Sequence, residues 1–326
     1  MNADTGRPAR ILVTRRQMPE VEARLARDYD SVRNTDDRPV SVAEVIAGAD
    51  GMDAVFVCST EPLNAAAMAA LPDSVRAVLT LSVGTDHLDL AAAKARGIAV
   101  LSTPDVLTNA VAEAAMLLLL GAARGAHAAA GSLRRGEWQR FVPGGYVGKD
   151  VTGARLGIYG MGRIGRAIAR NARGLQMQIH YHNRSRLDAA LEQAATYHAD
   201  AAGLLAASDF LVLAAPSTPE TRGFLDAKAI AALPDRAVVV NVGRGNLVDD
   251  TALIAALRSG KLYAAGLDVF NGEPLNIAQD YFDLPNAFLL PHIGSATERS
   301  RTDMGMILLD GLDALLAGKT PVNRVV

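Results

Sequence analysis

The sequence has one cysteine, one tryptophan and no apolar run long enough to span a bilayer, and each scarcity removes a class of protein. A lone Cys58 cannot close an internal disulfide, so a disulfide-stapled scaffold is excluded and a reducing, cytoplasmic setting is expected. It ends the run "DAVFVCS", where a buried strand residue is a better reading than a nucleophile. The longest apolar stretch, "AAMLLLLGAA" (114 to 123), is about half the ~20 residues of a spanning helix. It reads as a buried helix, of the kind found at an interface between domains or subunits. The opening "MNADTGRPAR" lacks the apolar core of a signal segment.

Charge of one sign is also missing. Lys and Arg number 33 against 35 Asp and Glu, a net charge of −2, which gives neither nucleic acid nor an anionic membrane anything to bind. The most basic stretch, "LRRGEWQR" (133 to 140), offers only Trp138 for base stacking and reads as a solvated helix end.

What is present is length and alternation. The 326 residues, half of them apolar, suffice for two domains with separate cores. Short β-rich runs alternate with alanine-rich helical segments, the pattern of βα units in parallel sheets, so the fold class is α/β. A first series of strands is "RILVT", "AVFVC", "VRAVLTL" and "IAVLS", with helices at "MPEVEARLARDY", "SVAEVIAGA" and "NAAAMAAL". A second series runs through "RLGIYG", "MQIHYH", "DFLVLAAP", "AVVVNVG", "YAAGLDVF" and "AFLLPH". Between them a break at Pro104 precedes a long helix starting near Thr108. A final helix ending at Gly318 can return to the first domain, leaving the second as an insertion.

The turn Gly160-x-Gly162-x-x-Gly165 sits between an apolar strand and a helix. That context suits a tight turn, a close approach to a pyrophosphate and a helix N-terminus aimed at negative charge. A dinucleotide site is the expectation. An NAD site usually places an Asp or Glu about 20 residues on. Here "YHNRSR" offers Asn183, Arg184, Ser185 and Arg186 instead. With no carboxylate to repel a 2′-phosphate and guanidinium donors to bind it, NADP(H) is preferred, while NAD(H) use stays open if the arginines only solvate a turn. His180 and His182 have the spacing of strand metal ligands without a Cys or acidic partner, so no metal site is expected.

Three later segments place polar residues at strand ends: Arg244 in "NVGRG", Asp268 and Glu273 in "GLDVFNGEP", and His292 in "LPHIGSAT". In open α/β sheets ligands gather beyond the carboxyl ends of strands, so these residues can converge. These segments resemble those of the D-2-hydroxyacid dehydrogenase family, and the resemblance implies a ketone reduced by hydride. It makes His292 the expected proton donor at oxygen, a task that imidazole, titrating near neutrality, can perform. Glu273 would orient the ring and stabilise its cation, and Arg244 would pair with a substrate carboxylate.

Together with "GMGRIG", "SVGTDHLDL" and "TPDVLTNAVAE", in this order and spacing, these segments resemble the D-2-hydroxyacid dehydrogenase family from about residue 10 to 322. The resemblance implies two doubly wound parallel-sheet domains: a Rossmann coenzyme domain (104 to 292) inserted into a flavodoxin-like substrate domain (1 to 103 and 293 to 326). It implies the catalytic set Arg244, Glu273 and His292, with Val83 and Gly84 joining Arg244 and His292 at the substrate. By the same resemblance the cofactor would meet Thr108, the 160–165 turn with Met161, Arg163 and Ile164, the 183–185 loop, Ala215, Pro216 and Thr221. Val242, Gly243, Arg244, Asp268, His292 and Gly294 would complete that groove. Among relatives the chain looks like the glyoxylate and hydroxypyruvate reductases, which overlap with 2-ketogluconate reductases. A small 2-oxo or 2-hydroxy acid is the implied substrate and a homodimer the implied assembly, in which Trp138 or Phe141 could wall a partner's pocket. The non-enzymatic alternative is a nucleotide-sensing corepressor of the same fold.

Overall fold

The computed structural model describes residues 7–326, and the first six residues of the N-terminal stretch discussed above lie outside the described residues. The chain forms two compact units, Met1–Leu107 with Ala296–Val326, and Thr108–Ser295. The sequence suggested the divisions at 103/104 and 292/293.

The first unit carries a parallel sheet of β1 (Arg10–Val13), β2 (Asp30–Arg33), β3 (Ala54–Val57), β4 (Ala77–Thr80) and β5 (Ala99–Leu101) in the order β2-β1-β3-β4-β5. That order is the flavodoxin-like one. Its helices are α1 (Pro19–Asp28), α2 (Val42–Gly48), α3 (Ala65–Ala70), α4 (Leu90–Ala95) and, from the end of the chain, α12 (Glu298–Leu316). The central strands β3 and β4 are buried along their whole length, as continuous apolar runs covered on both faces must be. Strand β2 was not foreseen. Its sequence DSVR is polar and alternately exposed at the sheet edge, so no apolar period marks it. Helix α12 packs on α1, β4 and β5, and Leu308, Leu309 and Leu312 join the core of this unit.

In the second unit α5 (Thr108–Ala123) and α6 (Ala126–Arg134) precede a seven-stranded parallel sheet. Its strands and helices are β6 (Arg155–Tyr159), α7 (Arg163–Arg173), β7 (Gln178–His182), α8 (Ala189–Glu192), β8 (Thr196–Tyr197), α9 (Ala201–Ala206) and β9 (Phe210–Leu213). They continue as α10 (Ala227–Ala232), β10 (Ala237–Asn241), α11 (Asp250–Ser259), β11 (Leu262–Leu267) and β12 (Ala287–Leu289). The strand order β12-β11-β10-β9-β6-β7-β8 reverses direction between β6 and β9, the switch point at which such sheets bind nucleotides. The two-residue edge strand β8 is again too short and too polar to be legible in advance.

The leucine run expected to be buried lies in α5, which packs against α7, β10 and β11. Its Leu118 and Leu119 are wholly enclosed while Leu117 and Leu120 face out. Among the described residues no single helix is long and apolar enough to cross a membrane. Cys58 follows β3 directly, and burial pushes its thiol up to about 12.

Candidate active site

The glycine turn joins β6 to α7 at the switch point. Gly160 adopts φ 99°, and a Cβ there would fall 2.6 Å from the Ala215 nitrogen; at Gly165 a Cβ would fall 2.3 Å from the Gly160 oxygen. Both positions therefore exclude side chains. At Gly162, the N-cap of α7, a Cβ would meet open space, and no side chain caps the helix. A tightly packed turn with its helix N-terminus uncapped and one open glycine fits a dinucleotide pyrophosphate.

Asn183 directly follows the neighbouring strand β7, and its Oδ1 accepts the Met161 N–H at 2.7 Å. Because the backbone donor fixes the amide orientation, the Asn183 Nδ2 remains as a donor. The two arginines of the loop differ. Arg186 is engaged by the buried Glu192, with Nε 2.8 Å from Oε1 and Nη2 3.1 Å from Oε2, whereas Arg184 is exposed, with its charge felt by Glu220. An acidic residue of α8, out of sequence view, thus takes one of the two guanidinium groups. His180 bonds through Nδ1 to His198 Nε2 at 3.0 Å, and His182 Nδ1 to the His198 carbonyl at 2.9 Å, so these histidines tie β7 to the segment after β8. Burial and the adjacent His198 hold the His180 ring below its usual range.

Across β6, Tyr159 stacks on Phe224 at 3.6 Å and on His182 at 5.8 Å, which brings the segment after β9 over the nucleotide turn. In that segment Ala215 is buried and Pro216 exposed, and the Thr221 hydroxyl donates to the Pro216 carbonyl at 2.7 Å while receiving the Thr218 N–H at 2.8 Å. Thr221, expected from the resemblance at the cofactor, thus also shapes this loop through its hydroxyl.

After β10 the turn 241–244 is organised by Asn241, a fully buried residue that sequence reading passed over. Its Nδ2 donates to the Arg244 carbonyl at 2.9 Å, and its Oδ1 accepts the Gly243 N–H at 3.0 Å. The only trace in the sequence is a polar residue ending an otherwise apolar strand, "AVVVN". Val242 and Gly243 are buried, and Arg244 is half-buried with Nη1 donating to the Gly243 carbonyl at 2.9 Å. At Gly245 a Cβ would lie 2.0 Å from the Phe270 carbonyl carbon, so this turn rests directly on the loop after β11.

That loop and the one after β12 are bound twice. Buried Asp268 accepts the Ile293 N–H at Oδ1 and the Gly294 N–H at Oδ2, both at 2.7 Å. Burial raises its carboxyl above the usual range against the pull of those two donors. Asp268, expected from the resemblance in the cofactor groove, has both oxygens accepting from backbone amides. Two residues before Gly294, His292 lies at φ 54°, a left-handed conformation uncommon outside glycine, and its N–H bonds the Leu290 carbonyl at 3.0 Å. Glu273 Oε1 is 2.6 Å from His292 Nδ1, while Oε2 accepts the Phe270 N–H at 2.9 Å. A carboxylate can only accept, so Nδ1 carries the proton and Nε2 is the nitrogen left for chemistry. The imidazole is 42% exposed and the carboxylate 27%.

These contacts join the carboxyl-end loops after β7, β6, β9, β10, β11 and β12. Thr108 opens α5 in the same unit, where Val111 abuts Gly294. Val83, exposed, and Gly84 follow β4 in the other unit. Trp138 and Phe141 lie in the exposed segment after α6.

A doubly wound sheet with a glycine-rich nucleotide turn, and a histidine held by a carboxylate at the same strand ends, defines a nicotinamide-dependent dehydrogenase. The D-isomer specific 2-hydroxyacid dehydrogenase NAD-binding domain matches residues 116–294. Glycerate dehydrogenase of Hyphomicrobium methylovorum is 44% identical over 95% of this chain and 96% of its own length. Glyoxylate/hydroxypyruvate reductase B of Citrobacter koseri is 41% identical over 88% of this chain and 89% of its own. The NADPH-dependent glyoxylate/hydroxypyruvate reductase of Sinorhizobium meliloti, solved with NADP and malonate, superposes with a TM-score of 0.87 at 35% identity, covering 98% of this chain and 97% of that one. The chain belongs to the D-2-hydroxyacid dehydrogenase family and is an NAD(P)-dependent oxidoreductase.

Proposed function

We propose that the protein reduces a small 2-oxo acid, glyoxylate or hydroxypyruvate first, to the D-2-hydroxy acid, using NADP(H) in preference to NAD(H) and His292 as proton donor. The Glu273–His292 pair carries this reading. With Nδ1–H committed to the carboxylate at 2.6 Å, the imidazolium gives up the Nε2 proton to the developing alkoxide and is left in the tautomer that Glu273 holds. Bound reduced nicotinamide supplies the hydride to the carbonyl carbon. Arg244 pairs with the substrate carboxylate and polarises the ketone, a task suited to a planar guanidinium. Val83 and Gly84 are assigned to the same carboxylate on the family resemblance. At the other end of the cofactor, Arg184 and Asn183 Nδ2 stand where an acidic residue would repel a 2′-phosphate.

The relatives' names point to one redox couple: hydroxypyruvate plus two reducing equivalents is glycerate, so a hydroxypyruvate reductase and a glycerate dehydrogenase are named for opposite directions. Mixing the protein with NADPH and either acid should deplete the reduced-nicotinamide absorbance, and His292→Gln should abolish turnover with NADPH binding nearly intact. No turnover of glyoxylate, hydroxypyruvate or 2-ketogluconate with either cofactor defeats the substrate assignment, and a fully active His292 variant defeats the proton donor. For assembly we infer a homodimer through exposed Leu117, Leu120, Leu133, Trp138 and Phe141, apolar groups that water alone would otherwise cover. Light scattering at micromolar concentration tests it, a monomer mass being the contrary result.

A further inference from the structure

The loop that follows β7 is locked from beneath. Tyr181, fully enclosed on β7, donates its hydroxyl to Glu192 Oε1 at 2.7 Å and accepts the Leu187 N–H at 2.9 Å. Glu192, buried at the end of α8, takes Arg186 bidentately. The α8 end is held in turn from α7, because Arg173 Nη2 donates to the carbonyls of Glu192 at 3.1 Å and Gln193 at 2.8 Å. Every residue of this chain of bonds lies outside the set that sequence motifs single out for the cofactor, except that Arg186 stands two positions beyond Arg184 and looks like a second phosphate reader.

Two opposite consequences are conceivable. Glu192 could withhold a reader from the cofactor, or it could hold the loop in shape. The bonds favour the second: the carboxylate, the phenol and the Leu187 amide close a ring around the 183–188 segment, whereas a withheld reader needs no contact to Leu187. A bidentate arginine on a buried carboxylate is also the least mobile arrangement available to that side chain.

We propose that Tyr181, Glu192 and Arg186 form a clamp that fixes the 183–188 loop before nucleotide binds, so that of the two arginines Arg184 reads a ribose 2′-phosphate and Arg186 is a positioning residue. This rests on the NADP reading above. Fixing the loop in advance spares the ordering of Arg184 at the moment of binding.

Calorimetric titration with 2′,5′-ADP and with 5′-AMP isolates the 2′-phosphate without any turnover. Glu192→Gln should weaken 2′,5′-ADP by roughly three- to tenfold and leave 5′-AMP within about twofold. Arg186→Ala should give the same loss, and the double variant no more than either alone, since both break one clamp. Tighter 2′,5′-ADP binding by Glu192→Gln would mean a withheld reader and overturn the proposal, as would additive losses. Tyr181→Phe offers a milder break, and hydrogen exchange at the Leu187 amide should rise in it and in Glu192→Gln. If the unmodified protein fails to distinguish the two nucleotides, the NADP reading falls by itself; unchanged exchange at Leu187 in both variants refutes the clamp in either case.

Discussion

Replacing Glu273 by Gln keeps the side chain's shape and removes its charge, which makes it the sharpest probe of the proton-transfer pair. The carboxylate now accepts from two donors, His292 Nδ1 at 2.6 Å and the Phe270 N–H at 2.9 Å. A carboxamide has one acceptor and one donor end, so it cannot serve both. If its oxygen keeps the Phe270 N–H, its NH2 meets Nδ1 and drives the ring proton onto Nε2, the wrong tautomer for a base. If the oxygen turns to His292, an NH2 group faces the Phe270 N–H. Hydrogen bonds to charged groups contribute roughly 1.5–3 kcal/mol, and the lower half applies to a ring 42% exposed. The expected loss in kcat for reduction is therefore about ten- to fiftyfold. Oxidation of the hydroxy acid should lose more, since it needs Nε2 without a proton. Steady-state kinetics in both directions, with NADPH affinity measured separately, provide the check. A variant with unaltered kcat, or one whose whole defect lies in cofactor affinity, would show that Glu273 does not act through His292.

Gly245→Ala should be costly, because its Cβ would come 2.0 Å from the Phe270 carbonyl carbon and push on the backbone that positions Glu273; a loss of roughly 1–3 kcal/mol is expected by calorimetry, and an unshifted melting temperature contradicts the close approach. Arg184→Ala should weaken NADPH far more than NADH, and equal losses would mean that Arg184 does not read the phosphate. Cys58, with its thiol raised to about 12, should alkylate at pH 8 about three orders of magnitude more slowly in the native protein than after unfolding in urea, as followed by mass spectrometry; equal rates would show that its site is not closed.

The sequence was legible where a structural role depends on neighbours along the chain. The spacing of three glycines between an apolar run and a helix located the nucleotide turn, and continuous valine-rich runs located the interior strands β3, β4, β9 and β10. It was silent at β2 and β8, whose polar residues sit on sheet edges and bury no face that could leave a period. It could name His292 and Glu273, since "LPHIGSAT" and "GLDVFNGEP" are recognisable segments, but not the 2.6 Å that makes them a pair.

Tertiary structure decided the partners, because a hydrogen bond depends on which loops the sheet order makes adjacent, and no local pattern encodes that. Asp268 was visible as a strand-end acid, yet only the placement of β12 beside β11 gives it the amides of Ile293 and Gly294. Arg184 and Arg186 are equivalent as letters. Glu192, buried behind Tyr181, makes one of them part of the scaffold and leaves the other exposed at the end of β7.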